Sequence, residues 1–392
     1  MEEVEGTPAA QVVCLAGGGV LAAAGHADGL VSLWRCNEAG SPSAAGRFRV
    51  QGHEGVGSEE PVCAAAIDTS GRLACAAAGA MLTLFDAAAG RAISTEAELW
   101  APGDNASVLS SPPAASGASP ALRGALFGTS AGIIGLWDPR CPQGSSGARS
   151  ALGSFARPAA SGSFAARPAA ATALVRFASA GGEQEQDLVL ATSRSGGAVV
   201  LDPRQPGAQL LELRGHARAI TATAVADFGS MGPRAATASG DWTVRLWDLR
   251  SGACVATLAG AAGPAVGVRL WGGRGHGLLV AAHADGTLRP WRLKAFGGFG
   301  GAASASGTPA GAWERRAPET LHAGGGLPLL AAHEVPGEGG SARMAVGGGA
   351  HWSLWDLPPL GSPDGPPPLQ LAAAARATDL AVCSAVCSGG GG

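Results

Sequence analysis

Residues 238–250 read ASGDWTVRLWDLR, and the order of this stretch decides the fold. Ser239, Gly240 and Asp241 are turn formers, because their side chains hydrogen-bond locally or impose no steric limit on the backbone. The run that follows alternates: Val244 and Leu246 are apolar, Arg245 between them is not, and Trp247 closes it before Asp248. Apolarity with a period of two over four to six residues predicts a β-strand with its apolar side on a core.

The same pattern recurs along the chain. Large residues close similar runs at Trp34, Phe85, Trp137, Leu201, Trp247, Trp291 and Trp355, spaced by 51, 52, 64, 46, 44 and 64 residues. Each run follows another short apolar stretch and a Gly-rich turn, as in Leu278–Ala282 before His283-Ala284-Asp285-Gly286. Such Asp-Gly junctions favour tight hairpins. Seven units of about four short strands, near the 40–45-residue period of a propeller blade, predict an all-β, seven-bladed propeller. Its expected limits are residues 11–376, with a disordered stretch at 1–10 and a closing strand or tail at 377–392. Residues 369–373 are expected as the outer strand of the last blade and 378–384 as a spare strand at the seam. Stretches 101–121, 141–171 and 295–318 are rich in Ala, Gly, Ser and Pro, so they read as disordered insertions. Within the second, a segment around Phe155 is nearly repeated around Phe164, which gives either a plain loop or a docking motif.

These residues carry a resemblance to the WD-repeat (WD40) β-propeller family. The fifth copy matches best, with Gly215-His216 at its start, Ser239-Gly240-Asp241 at its turn and Trp247-Asp248 at its strand end. The resemblance implies a hydrogen-bonded structural network of His216, Ser239 or Thr237, Asp241 and Trp247. The second copy keeps Gly52-His53 but has Gly79 at the turn, and the first and sixth keep the acid as Asp28 and Asp285. Ala131, Ser195 and Gly349 take its place in the third, fourth and seventh. Pro290, which lacks an N–H for the ladder, predicts a bulge in the sixth.

Composition excludes much chemistry. Alanine and glycine supply 147 of 392 residues, so the burial of large apolar area is expected to fall on Leu, Val, Ile and Trp. The 27 basic and 30 acidic residues balance nearly evenly, which argues against a nucleic-acid binder. Lys294, the single lysine, follows Leu293, so there is no phosphate-binding GxxxxGK loop. Eight cysteines without a CxxC pair read as buried free thiols. The acidic start, Met1-Glu2-Glu3, does not resemble a signal or transit peptide, and no apolar run is long enough to span a membrane. An intracellular protein, cytoplasmic or nuclear, is expected. The histidines form no HExxH and the glycines no GxGxxG, so no metal or cofactor is expected.

One catalytic-looking string exists: Gly128-Thr129-Ser130-Ala131-Gly132 fits the nucleophile elbow GxSxG. That motif needs a helix after the turn, and the sequence places a strand there. The expected function is therefore a non-catalytic scaffold that assembles other proteins, working as a monomer within a larger complex. A propeller hydrolase using Ser130 is the remote alternative. Trp137-Asp138-Pro139-Arg140 and Trp247-Asp248-Leu249-Arg250 also resemble the box of substrate receptors that dock on the adaptor of cullin-4 ubiquitin ligases. That resemblance would give Arg140 and Arg250 the docking role; otherwise each is solvated or paired within its own blade. Trp242 is the third partner-binding candidate, either projecting from the rim as an anchor or lying on the neighbouring blade.

Overall fold

The computed structural model describes residues 12–18, 21–26, 28–36, 42–50, 60–67, 73–86, 89, 91–96, 100, 104–110, 124–138, 149–155, 169–180, 185–259, 263–273, 276–294, 321–322, 331–336, 342–348, 351–357 and 370–376. Among these residues the strands pair into seven antiparallel sheets of four, each a simple meander. The first contains β1 (Val12–Gly18), β2 (Leu21–His26), β3 (Leu30–Cys36) and β4 (Pro42–Arg49). The second contains β5 (Val62–Ile67), β6 (Leu73–Ala78), β7 (Met81–Asp86) and β8 (Arg91–Glu96). The third is formed by β9 (Ala106–Ser110), β10 (Ala125–Thr129), β11 (Ile133–Trp137) and β12 (Arg149–Ser154). The fourth is β13 (Ala171–Ala180), β14 (Glu185–Ser193), β15 (Ala198–Leu201) and β16 (Gln209–Leu213). The fifth is β17 (Ile220–Asp227), β18 (Pro233–Ser239), β19 (Val244–Asp248) and β20 (Cys254–Leu258). The sixth is β21 (Ala265–Gly273), β22 (His276–His283), β23 (Thr287–Lys294) and β24 (Leu321–His322). The seventh is β25 (Ala331–Pro336), β26 (Ala342–Gly348), β27 (His351–Leu357) and β28 (Gln370–Arg376).

First strands of successive sheets lie side by side, β1 against β5 and so on to β21 against β25. This is the arrangement of propeller blades around an axis. The core occupies the gaps between sheets. On β6, Ala74 and Ala76 face the gap to the first sheet with Val31 and Phe85, whereas Cys75 and Ala77 face the third sheet with Phe127 and Trp137. On β15, Val199 and Leu201 point to the third sheet while Ala198 and Val200 point to the fifth. Inner strands are thus buried on both faces, which goes beyond the one-sided burial that alternation suggests. The largest buried side chains are those of Trp, Phe, Leu and Ile, and alanine fills the space between them. The middle strands are lined by Ala76, Ala77, Ala235, Ala236, Ala281 and Ala282, all buried, because sheets packed closely on both sides leave room for little more than a methyl group.

Fourth strands differ. Strands β8, β16 and β20 are mostly exposed or half-buried, and β8 and β16 carry the exposed Ile93 and Leu210 because one face meets solvent. Cys254, on such a strand, is exposed, in contrast to the expected burial; Cys75 on a second strand is buried.

Four further expectations are corrected or refined. Strand β9 lies within 101–121, and β12 together with the start of β13 lies within 141–171, so neither stretch is wholly an insertion. Their backbone groups pair with β10, β11 and β14, and Leu109 and Leu152 are buried, which outweighs a composition poor in large side chains. Phe155 packs against the apolar cluster between the third and fourth sheets, whereas Phe164 lies outside the described residues. The ladder of β22 and β23 runs unshifted through the Val280–Pro290 pair, so the bulge expected at Pro290 is absent. The outer strand β24 is paired only with Thr287 and Leu288, and the proline lies beyond that short ladder. The outer strand of the seventh sheet starts at Gln370, near the position anticipated. Residues 1–10, 295–318 and 377–392 lie outside the described residues.

Candidate functional site

The fifth sheet is built around one hydrogen-bond relay. Strand alternation sends Trp247 into the gap toward the fourth sheet, where it is 2% exposed. Its Nε1–H needs an acceptor there, and Thr237, opposite on β18 and two residues along, supplies Oγ1 at 2.7 Å. The Thr237 hydroxyl meets Nε2 of His216 at 2.8 Å, and Nδ1 of that ring meets Oδ2 of Asp241 at 2.9 Å. Hydrogen-bond polarity fixes the protons. Thr237 accepts from the indole and donates to Nε2, so His216 is neutral with its proton on Nδ1, donated to the carboxylate. Asp241 has every acceptor direction engaged: Oδ2 also accepts from the Ala217 N–H at 3.0 Å, and Oδ1 from the Thr243 N–H at 3.0 Å and hydroxyl at 2.7 Å.

The titration properties follow. Burial pushes the His216 pKa down, and the hydrogen bond and charge of Asp241 offset this only in part. Burial pushes the Asp241 carboxyl up, but the donations from Thr243, His216 and Ala217 outweigh it and hold the pKa at about 2. Of the two hydroxyls anticipated, Thr237 occupies the relay. Ser239 tightens the turn instead, donating to the Arg218 carbonyl at 3.1 Å and accepting from the Asp241 N–H at 3.1 Å.

At the end where this relay surfaces, a tight turn joins β18 to β19. The Trp242 N–H closes it on the Ser239 carbonyl at 3.2 Å. The same closure occurs at Gly29, Gly132, Gly196 and Gly286 in the first, third, fourth and sixth sheets, all with positive φ. Trp242 has φ 69°, and among the described residues no other non-glycine has a positive φ. A side chain with a Cβ costs about 1 kcal/mol in this conformation. The indole is only half covered: Trp242 is 52% exposed. Half of the indole is thus open to solvent at the rim.

Beside it, the backbone of residues 216–218 is wedged between two turns. A side chain at Gly196 would come within 2.7 Å of the Arg218 carbonyl, and one at Gly240 within 3.7 Å of the Arg218 Cβ. Arg194, Ser195, Arg218 and Trp242 are all exposed on this rim. Arg214 is also there but is paired with Glu212 at 2.6 Å.

The opposite end holds the Trp-Asp-x-Arg corner. Asp248 accepts from the Arg250 N–H at 2.9 Å and forms an ion pair with the buried Arg234. The exposed Arg250 side chain lies over Gly232, where any side chain would come within 2.2 Å of its Nε. In the fourth sheet the matching Arg204 forks onto its own Asp202, at 2.9 and 2.8 Å. Arg140 lies outside the described residues.

Ser130 sits in a turn between β10 and β11, with a strand on either side, and its hydroxyl donates to Asp104 at 2.5 Å. The helix that a nucleophile elbow requires is missing from this junction, and the same Asp104 oxygen that accepts from Ser130 also accepts from the Ala131 and Asn105 N–H groups. Among the described residues no group of three His, Cys, Asp or Glu is placed to hold a metal ion, and no helix is long and apolar enough to cross a membrane.

Comparison with known proteins agrees with this geometry. Residues 207–248 match the family model of the WD domain, G-beta repeat. This range begins just before β16 and ends at Asp248, so it spans the whole relay. No curated protein sequence matches the chain. Among solved structures, the chain is similar to the computationally designed Ika8 protein, crystallised in P63, with 16% identity, a TM-score of 0.54, and coverage of 93% of this chain and 87% of that one. At that identity the likeness concerns the fold alone.

Proposed function

Because the chain carries a WD repeat within an all-β architecture of propeller blades, we propose that it is a non-catalytic platform on which other proteins assemble, acting as a monomer inside a larger complex in the cytoplasm or nucleus. The observation that carries this reading is the division of labour in the fifth sheet. Its polar side chains are spent on each other in the interior, while an indole and guanidinium groups stand on the rim. A rigid frame with adhesive groups at its edge is the physical requirement of a docking surface. Affinity purification of the full chain from cells, with the bound proteins identified by mass spectrometry, tests it. A reproducible set of partners, recovered in repeated purifications and absent from a control bait, is the expected result. A chain that captures nothing at moderate salt would contradict the platform reading.

The cullin-4 receptor is the narrower form of the proposal. What supports it is the exposed Arg250 on the lower turn, resting on Gly232 with Asp248 fixing its backbone. Recovery of the ligase adaptor with the full chain, abolished by Arg250→Ala together with Arg140→Ala, is the result that reading requires. Retention of the adaptor through both changes excludes docking by this corner.

A further inference from the structure

We propose that the rim around Arg218, flanked by the fourth-sheet turn that carries Arg194 and the fifth-sheet turn that carries Trp242, is a binding site for an acidic peptide segment of a partner protein; this deepens the platform reading and rests on it. Three independent features of the rim point to such a ligand. The first is the backbone at Trp242. Four other sheets make the same turn with glycine, the residue that adopts positive φ without penalty. The fifth sheet places a tryptophan there and leaves half of it in water, so a large apolar and hydrogen-bonding surface stands open beside a backbone that would suit glycine better.

The second feature is charge. Arg194 and Arg218 are exposed, and neither makes an ion pair within the described residues. The acid closest in sequence to the indole, Asp241, has both oxygens occupied by four donors from its own sheet, so it does not neutralise them. The third is rigidity. The backbone that carries Arg218 is held from both sides, by the turn at Gly196 and by the Ser239 hydroxyl at 3.1 Å, and the Arg194 N–H is tied to the Ala170 carbonyl at 2.8 Å. Guanidinium groups carried on a fixed backbone are presented in the same place each time, and they bind a carboxylate through paired N–H donors. The indole adds a flat apolar surface for the stem of a Glu or for a neighbouring apolar residue, and an edge N–H for a peptide carbonyl.

The test separates this site from the general platform reading. A phage-displayed library of random short peptides is panned on the immobilised full chain and, in parallel, on Trp242→Gly and on Arg194→Ala with Arg218→Ala. Recovered sequences enriched in Asp and Glu, with that enrichment lost on both variants and binding weakened about tenfold or more, support the site. Binding of the recovered peptides should also fall steeply as salt is raised. Recovery without acidic enrichment, no recovery, or enrichment that survives Trp242→Gly overturns it. Trp242→Gly supplies the fold its neighbours use, so loss of binding with an unchanged or raised melting temperature separates contact from structural damage. If cellular partners are still captured by both variants, the platform stands and this rim is not where it works.

Discussion

The third and fifth sheets bury a tryptophan at the same place by opposite means. Trp247 hands its indole N–H to Thr237, and the relay continues through His216 to the turn acid. In the third sheet the residue two along from the partner of the tryptophan is Phe127 instead of a threonine, and the Nε1 of Trp137, fully buried, has no hydrogen-bond partner. Phe127 lies over Gly135, where a Cβ would come within 2.2 Å of its ring, and tilts against Trp100 at 5.4 Å between ring centroids. Three aromatic rings thus replace a polar relay. The acid has also changed sides: Ala131 stands where Asp241 would be, and Asp104, from the loop before β9, reaches back to accept from Ser130, Ala131 and Asn105. The turn is still tied to the loop by one carboxylate, but the donor and acceptor have exchanged places. A blade needs its tryptophan buried and its turn pinned; it does not need one particular set of side chains to do either.

The most severe test of that equivalence is to transplant the polar solution. Phe127→Thr gives the Trp137 N–H an acceptor but removes a ring that fills the space beside Trp100 and above Gly135. Cavity formation should dominate, with a loss of about 3–4 kcal/mol in chemical denaturation. A variant as stable as the parent would mean that the unpaired indole costs far more than supposed. Next in size is Thr237→Val, which keeps the shape but strands Nε1 of Trp247 and Nε2 of His216 in a buried site. A loss of about 2–3 kcal/mol is expected, measured the same way.

Acid should separate the sheets more gently. The Asp241 pKa is depressed to about 2, so its stabilising contribution is complete above the ordinary carboxylate range and is lost as pH falls from there through about 2. His216 is also held below its ordinary value, so its neutral form favours the fold and its contribution is lost on acidification from the normal imidazole range downward. Both act in one direction: stability declines as pH falls. For Asp241 the change is about 1–2 kcal/mol once solvent screening is allowed for. Denaturation midpoints measured across this range should flatten in Asp241→Asn, leaving a residual slope to which Asp104, whose pKa is also lowered, contributes. An unchanged slope would mean that the relay is not ionised as its hydrogen bonds require.

How much of this the sequence discloses depends on whether the physics is local. The strand alternation and turn residues around Asp241 are local, so the blade pattern and the turn position of Trp242 can be read from spacing, and the resemblance to a WD repeat that they carry implies the relay members. The choice between Thr237 and Ser239 depends on register. Both precede the turn on β18, but Thr237 pairs with Arg245 across the ladder and points toward Trp247, whereas Ser239 sits at the strand end. Strands β9 and β12 escape notice because Ala, Ser and Gly give no amphipathic signal. Their order comes from pairing with β10 and β11, which no short window contains. The reversed acid of the third sheet is hidden for the same reason, since Asp104 and Ser130 meet only once that register exists. A weak signal was present in Trp100 and Asp104, a large aromatic and an acid in an otherwise small-residue stretch.

The smallest effect discriminates best between turns. At Gly132 of the third sheet, a Cβ would come within 2.6 Å of the Ala169 carbonyl, so Gly132→Ala should destabilise by more than the left-handed backbone alone would cost. Trp242 occupies the equivalent turn with its side chain half in solvent, so a Cβ is already accommodated at that position. Replacing it with glycine removes strain of about 1 kcal/mol, while the added freedom of the unfolded chain takes back a similar or slightly smaller amount. The melting temperature should therefore stay level or rise slightly. A fall of several degrees would show that the indole packs on the sheet and contributes to its stability. A level or raised value would show that the fifth turn tolerates its tryptophan against the preference of its own backbone, which is the behaviour of a residue retained for what it touches outside the chain.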